Sequence, residues 1–138
     1  MAETLEFELV SPLKLLVAEP VDMVVLPGSE GAFGVLPLHA PTLSTLRPGF
    51  IDVYKDGVLS ERYFVTGGFA EVSHSTCTVL VDEAIPGGQA DQQYGADKVS
   101  EAKAALSQAT DAASKDKAVA ALATAEVVAK TISLEALT

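Results

Sequence analysis

The composition of the chain changes abruptly at Pro86. All seven prolines lie at or before this residue, as do seven of the eight aromatic residues, whereas the residues after it include 15 alanines and one aromatic residue, Tyr94. Aromatic residues favour strands, proline marks turns and strand edges, and alanine is the strongest helix former. We therefore predict an antiparallel β-sandwich over residues 1–86 and an antiparallel α-helical hairpin over residues 87–138.

The first part alternates short apolar runs with turn signals. Leu5, Phe7 and Leu9 alternate with acidic residues, which is typical of a half-buried strand. Asp56-Gly57 separates two further runs and predicts a two-residue type I′ hairpin turn. Nine or ten short strands at such close spacing favour a sandwich over a parallel sheet.

Two apolar stripes at helical spacing follow Gln89. The first consists of Tyr94, Val99, Ala102, Leu106 and Ala109, and the second of Ala118, Leu122, Ala125, Val128 and Ile132. Ser114 is predicted to cap the second helix. Because alanine removes little apolar area from water when it is buried, we expect the hairpin to be less firmly held than the sandwich.

The net charge of −10 limits the classes of partner. Residues 1–86 carry 12 acids and 4 bases, and residues 87–138 carry 7 acids and 5 bases. Without a basic patch, nucleic-acid binding is not expected. Charged residues interrupt the longest apolar stretch, and the acidic start of the chain lacks a signal-peptide pattern, so we predict no direct membrane insertion and no secretion.

Side chains for catalysis or metal binding are sparse. Cys77 is the only cysteine, and neither His39 nor His74 stands beside a recognisable nucleophile. The glycines at 28, 31 and 34 mimic a phosphate loop, but neither a helix nor a lysine follows them. Three classes of function remain open: an enzyme, a ligand-binding sandwich and a subunit that only binds partner proteins. The sequence favours the last.

The stretch from Gly28 to Gly49 is the densest in turn residues. It holds four glycines, three prolines and one histidine, which predicts two tight turns around a short strand. Five segments occur in a characteristic order: Gly28-Ser-Glu-Gly31, Leu38-His-Ala-Pro41, Arg47-Pro-Gly49, Val65-Thr-Gly-Gly-Phe-Ala-Glu-Val72 and Thr78-Val-Leu-Val-Asp82. In these segments and in its two-part organisation the chain resembles the epsilon subunit of bacterial F-type ATP synthases.

This resemblance implies a rotor subunit in the central stalk, without catalytic activity of its own. Such a subunit binds the gamma subunit, sits on the membrane-embedded ring of c subunits and couples proton flow to ATP synthesis. It implies a peripheral location on the cytoplasmic side of the bacterial inner membrane. In the family, the surface that faces the c ring includes positions that correspond here to Glu30, Gly31 and His39. At the position after Gly31, Ala32 replaces an acid found in many relatives. The alternatives are a surface acid that stabilises its turn, for Glu30, and packing within its own loop, for His39.

The resemblance also bears on the hairpin. Some relatives bind ATP through a hydrophobic-Asp-x-x-Arg-Ala motif, but here Tyr94 stands in the arginine position and residues 87–138 contain no arginine. We therefore predict no ATP binding and no cofactor, because the guanidinium fork that grips phosphate is missing. Hairpins of the family inhibit ATP hydrolysis by reaching the catalytic beta subunits. Lys115, Lys117 and Lys130 are the candidate contacts, and the hairpin's net charge of −2 predicts modest inhibition at most.

Overall fold

The computed structural model describes residues 3–135. Contacts between Cα atoms divide the chain into two units, Met1–Gly87 and Gly88–Thr138, whereas the sequence placed the boundary after Pro86. The first unit contains ten strands: β1 (Leu5–Val10), β2 (Leu15–Val21), β3 (Met23–Gly28), β4 (Gly31–Val35), β5 (Thr42–Leu46), β6 (Gly49–Lys55), β7 (Val58–Val65), β8 (Gly68–Val72), β9 (Thr76–Val81) and β10 (Ala84–Pro86). A 3₁₀ turn (Gly87–Gln89), α1 (Gln92–Gln108) and α2 (Ala112–Glu135) follow.

The strands form one hydrogen-bonded sheet that folds over into a sandwich. Their order is β10-β7-β6-β3-β5-β8-β9-β1-β2, and β4 pairs with β3 outside this path. The predicted sandwich followed by a helical hairpin is confirmed. One detail differs from the prediction of an antiparallel sandwich, since β1 and β9 pair in parallel. Alternation along a strand identifies its buried face but not its neighbour, so the sequence did not reveal this pair.

The core of the sandwich comes from strict alternation along the strands. Leu5, Phe7 and Leu9 on β1 are fully buried, and Cys77 and Val79 on β9 are buried beside them. The other layer contributes further fully buried apolar side chains, among them Val24, Leu26, Ile51, Val53 and Val65. Burying each large side chain contributes roughly 1.5–3 kcal/mol, so this alternation is the main source of the sandwich's stability.

The sheet passes between the two layers at β3. Residues Met23–Val25 pair with β6, and Gly28 pairs with Leu46 of β5. Side chains add a further link between the layers, because Lys55 Nζ on β6 lies 2.9 Å from Glu19 Oε2 on β2. Backbone pairing of β3 and this ion pair therefore both join the two layers.

The predicted hairpin turn at Asp56-Gly57 is confirmed. Both residues have positive φ angles, 54° and 77° respectively, as a type I′ turn requires. The turn joins β6 to β7, which pair from one end to the other with a single bulge after Val53.

Aspartates, not serine, cap both helices. Asp91 Oδ1 accepts a hydrogen bond of 2.9 Å from the backbone N–H of Tyr94, and Asp111 Oδ1 accepts one of 2.7 Å from that of Ser114. The prediction that Ser114 caps α2 is therefore wrong, since Ser114 is the third residue of the helix. A carboxylate is a stronger acceptor than a hydroxyl at the positive end of a helix, and the hydrogen bonds from Ser114 lower the pKa of Asp111.

The two helices lie close together at Gly95. A Cβ atom built on this glycine would lie 3.0 Å from the Cα atom of Ala129. Gly95 is near the start of α1 and Ala129 near the end of α2, so the helices run antiparallel. The buried side chains of the pair are small or β-branched: Ala102, Ala118, Ala125, Val128 and Ile132. In the part of the chain that the structure describes, neither helix combines the length and the apolar character needed to cross a bilayer.

We expect Gly28→Ala to destabilise the sandwich by about 1–3 kcal/mol, as overpacked sites do. The added Cβ would lie 2.6 Å from the carbonyl oxygen of Gly31 and 3.0 Å from the ring of Phe33. Gly34→Ala is the matched control, because its Cβ would meet only Met23 Sδ at 3.7 Å. Urea unfolding followed by circular dichroism measures both variants, and equal midpoints would show that Gly28 is not required for close approach.

The thiol of Cys77 should be unreactive in the folded protein. Burial raises its pKa to about 12, and the thiolate is the form that attacks thiol reagents. Because each pKa unit changes the thiolate fraction tenfold, labelling by a disulfide reagent at mildly alkaline pH should be at least about a hundredfold slower in the native protein than in guanidinium chloride. Similar rates in the two conditions would contradict the burial of this side chain.

Candidate docking site

The turn that carries Glu30 is a tight two-residue hairpin between β3 and β4. Gly28 and Gly31 face each other across the turn, and Gly31 adopts a φ of 135° that a residue with a side chain rarely adopts. Ser29 and Glu30 form the tip, and both side chains are exposed. The predicted contact residues Glu30 and Gly31 are therefore brought together at one projecting point.

Backbone and side-chain hydrogen bonds hold this hairpin against β5. The Ser29 N–H donates to the carbonyl of Thr45 at 2.9 Å, and the Arg47 N–H donates to the carbonyl of Pro27 at 2.9 Å. In addition, Arg47 Nε donates to the carbonyl of Gly28 at 3.1 Å. The Glu30 carboxylate thus stands on a rigid base rather than on a mobile loop.

An open groove of about 440 Å³ lies between the hairpin and β5. Its lining combines the acid, three hydroxyls and three apolar side chains: Glu30, Ser29, Thr42, Ser44, Ala32, Phe33 and Leu43. Leu43 is 72% exposed, which is unusual for a leucine within a strand. The groove offers hydrogen-bond acceptors and one negative charge to a partner, and it lacks the base and nucleophile pair that covalent catalysis needs.

His39 belongs to a different structural element, the β4–β5 loop. Its Nδ1 lies 2.7 Å from the carbonyl oxygen of Ala40, so Nδ1 must be the protonated donor. The preceding residue, Leu38, has a φ of 67°, and its N–H donates to the carbonyl of His74 at 2.7 Å. His39 is half-buried, and its Nδ1 hydrogen bond helps to hold its own loop.

The structure does not join Glu30 and His39 in one cluster. Within residues 3–135, no hydrogen bond or ion pair connects the two side chains. The link between them is indirect. Thr42 lines the groove beside Glu30, and its hydroxyl donates a hydrogen bond of 3.0 Å to the carbonyl of Ala40, the residue after His39.

The three candidate lysines of the hairpin all lie on α2 and are exposed, but they do not form one patch. Lys115 and Lys117 are two residues apart and so project about 200° apart around the helix. Lys130 lies on the same side as Lys115 but about 22 Å further along the axis. A single acidic partner site of ordinary size cannot contact all three at once.

The segment aligned with the ATP-binding motif has structural roles in this chain. Asp91 is the N-cap of α1, and the ring of Tyr94 lies 5.5 Å from Lys98 Nζ. Within the described residues, no group of three or more His, Cys, Asp or Glu side chains has a geometry that would hold a metal ion.

A second polar cluster surrounds the ion pair between β6 and β2. The Tyr63 hydroxyl donates to the carboxylate of Glu61, and partial burial together with this carboxylate raises the pKa of Tyr63. The hydrogen bond to Glu19 raises the pKa of Lys55. The Lys55–Glu19 ion pair links β6 to β2, whereas Tyr63 and Glu61 both lie on β7.

Sequence reasoning missed two features of this region. The role of Arg47 beneath the hairpin was not predicted, although its position between Leu46 and Pro48-Gly49 placed it beside the turn residues. The left-handed conformation of Leu38 carries no sequence signal, since leucine rarely adopts it.

Comparison with known proteins identifies the family. The family model for the ATP synthase Delta/Epsilon chain β-sandwich domain matches residues 4–87. The ATP synthase epsilon chain of Rhodospirillum rubrum is 50% identical over 93% of this chain and 96% of its own length. That of Paramagnetospirillum magneticum is 47% identical over 96% of this chain and 100% of its own.

Solved structures agree with these relatives. A chain in the cryo-EM structure of Euglena gracilis mitochondrial ATP synthase, OSCP/F1/c-ring, matches with a TM-score of 0.67 and 28% identity, covering 94% of this chain and 82% of that one. A chain of the Tetrahymena thermophila central stalk/c-ring shares the fold, with a TM-score of 0.64, 18% identity and coverage of 97% and 96%. The predicted resemblance and the prediction of a subunit without catalytic activity of its own are confirmed. The chain belongs to the family of ATP synthase epsilon chains.

Proposed function

We propose that this chain is the central-stalk subunit that links the gamma subunit to the c ring of a proton-translocating ATP synthase. In this role it turns with the rotor and transmits torque between proton flow and ATP synthesis. Its place would be peripheral, on the cytoplasmic side of a bacterial inner membrane. The relatives and the neighbouring structures named above support a place within the complex, and the particular partners are part of the proposal.

The observation that carries the proposal is the rigid, charged tip of the β3–β4 hairpin. Torque can pass through a contact only if the contacting element does not bend, and three hydrogen bonds fix this tip to β5 and Arg47. The tip presents the Glu30 carboxylate to solvent. We propose that Glu30 pairs with a basic side chain on a polar loop of a c subunit, that Gly31 lets this loop approach the backbone, and that the His39 loop contacts a neighbouring part of the same ring.

The hairpin has a secondary, regulatory role in this proposal. Lys115, Lys117 and Lys130 would contact acidic segments of the catalytic beta subunits one at a time, because they do not share one face. Separate exposed ion pairs contribute little, so inhibition of hydrolysis would be modest. The hairpin would not bind ATP, since Asp91 is engaged as a helix cap and residues 87–138 offer no arginine.

Substitution of Glu30 tests the docking role. We expect Glu30→Gln to weaken binding of the full chain to a purified gamma–c-ring subcomplex about two- to fivefold, the range of one exposed ion pair. Glu30→Lys should weaken it further because like charges then face each other. Surface plasmon resonance at low and high salt measures the affinity, and the difference should shrink as salt screens the pair.

Glu3→Gln is the matched control, since it removes another exposed negative charge from the same unit. It should bind like the unmodified chain. If both Glu30 variants also bind normally, Glu30 is not a ring contact, and failure of the unmodified chain to bind gamma would reject the rotor assignment altogether.

The hairpin proposal predicts a small effect on ATP hydrolysis. In complexes reconstituted with the Lys115→Gln, Lys117→Gln, Lys130→Gln triple variant, the hydrolysis rate should rise less than about fivefold, as expected when a few exposed pairs are lost. Circular dichroism should show unchanged helix content, because the three lysines are exposed. Activation by orders of magnitude would show that this hairpin is a strong inhibitor.

A further inference from the structure

The outer face of one layer carries a line of apolar side chains that crosses four strands. The register pairs Phe69 of β8 with Leu80 of β9, Leu80 with Val10 of β1, and Val10 with Leu15 of β2. Paired residues point to the same face of a sheet, and the alternate residues of these strands form the core. We call Phe69, Leu80, Val10 and Leu15 the apolar row.

The apolar row is open to solvent. Phe69 is 47% exposed and Leu15 is 54% exposed, while Leu80 and Val10 are half-buried. A groove of about 330 Å³ runs beside them, lined in part by Val10, Phe69 and Leu80. Four neighbouring apolar residues, three of them along one groove, differ from the single exposed apolar residues that are normal on protein surfaces.

Acidic residues border the apolar row on both sides. The next line of residues on the same face, two positions further along each strand, consists of Glu71 on β8, Thr78 on β9 and Glu8 on β1. The Thr78 hydroxyl donates a hydrogen bond of 3.2 Å to Glu8 Oε1. On the other side Asp82 follows Leu80 and lines the groove. Two glutamates and one aspartate therefore surround an apolar strip about 14 Å long, the width of four strands.

We infer that the apolar row is a docking surface for an amphipathic helix of a partner protein, with an apolar stripe flanked by lysine or arginine side chains. A helix of about ten residues is about 15 Å long, which matches the length of the row. Its leucine-like residues would cover Phe69 and Leu80, and its basic residues would reach Glu71 and Glu8 on one side and Asp82 on the other. This surface uses none of the side chains proposed to contact the c ring.

Charge complementarity decides the chemistry of this partner. The first unit carries 12 acids and 4 bases, so a second copy of the same face would repel the first. An acidic or uncharged helix would leave Glu71 and Glu8 facing it without partners, which costs binding energy once they are partly desolvated. A basic helix gains from both the apolar strip and its borders.

Photo-crosslinking in the assembled ATP synthase tests the inference with the full chain in place. Phe69 is replaced by benzoylphenylalanine, and the matched control carries the same residue at Val58, an exposed aliphatic position on the other layer with 64% exposure. After irradiation the crosslinked peptide is sequenced by mass spectrometry. We expect position 69, but not position 58, to crosslink to a helical segment with apolar residues every three to four positions and Lys or Arg on both flanks.

The charge borders are tested by adding Glu8→Gln and Glu71→Gln together to the chain with the crosslinker at position 69. The crosslinking yield should fall about three- to tenfold at low salt and less at high salt, because two exposed charge pairs are lost. Absence of a crosslink from position 69, a crosslink to a second copy of this chain, a target segment without basic residues, or an unchanged yield in the charge variant would each overturn the inference. None of these outcomes depends on Glu30, so the rotor proposal is judged separately.

Discussion

The sandwich depends on the close approach of three backbone segments at Gly28. At this residue β3 pairs with β4 through Gly31 and with β5 through Leu46. A side chain at this position would collide with the carbonyl of Gly31 and the ring of Phe33. The same junction carries the sheet from one layer to the other and sets the position of Glu30 two residues later. Fold and candidate site are therefore consequences of one packing constraint.

The two units are stabilised by side chains of different sizes. Large alternating side chains fill the sandwich, whereas the helices meet through Gly95, Ala129 and other small residues. Along α2, Val119, Val127 and Leu134 are exposed at spacings that place them on one side, away from the buried stripe. The sandwich thus offers a rigid base with shaped surfaces, and the helices hold less apolar area between them.

Local chemistry made several elements predictable. Asp56-Gly57 specified its hairpin because both residues tolerate positive φ, and the alternation in β1 specified its buried face. The cap of α2 was misassigned because Asp111 and Ser114 are both good capping residues, and only their hydrogen bonds distinguish them. The parallel pairing of β1 with β9 and the left-handed Leu38 have no local signal, so neither was predictable.

The sequence by itself determined the two-part architecture, the family and the position of Glu30 in a tight turn, because these follow from composition and from motifs of a few adjacent residues. Only the tertiary structure decided that Arg47 supports this turn, that His39 is held in a separate loop and that the three lysines of α2 are dispersed. It also aligned Phe69, Leu80, Val10 and Leu15 into one row. Those arrangements depend on strand neighbours and register, which bring together residues far apart in the chain.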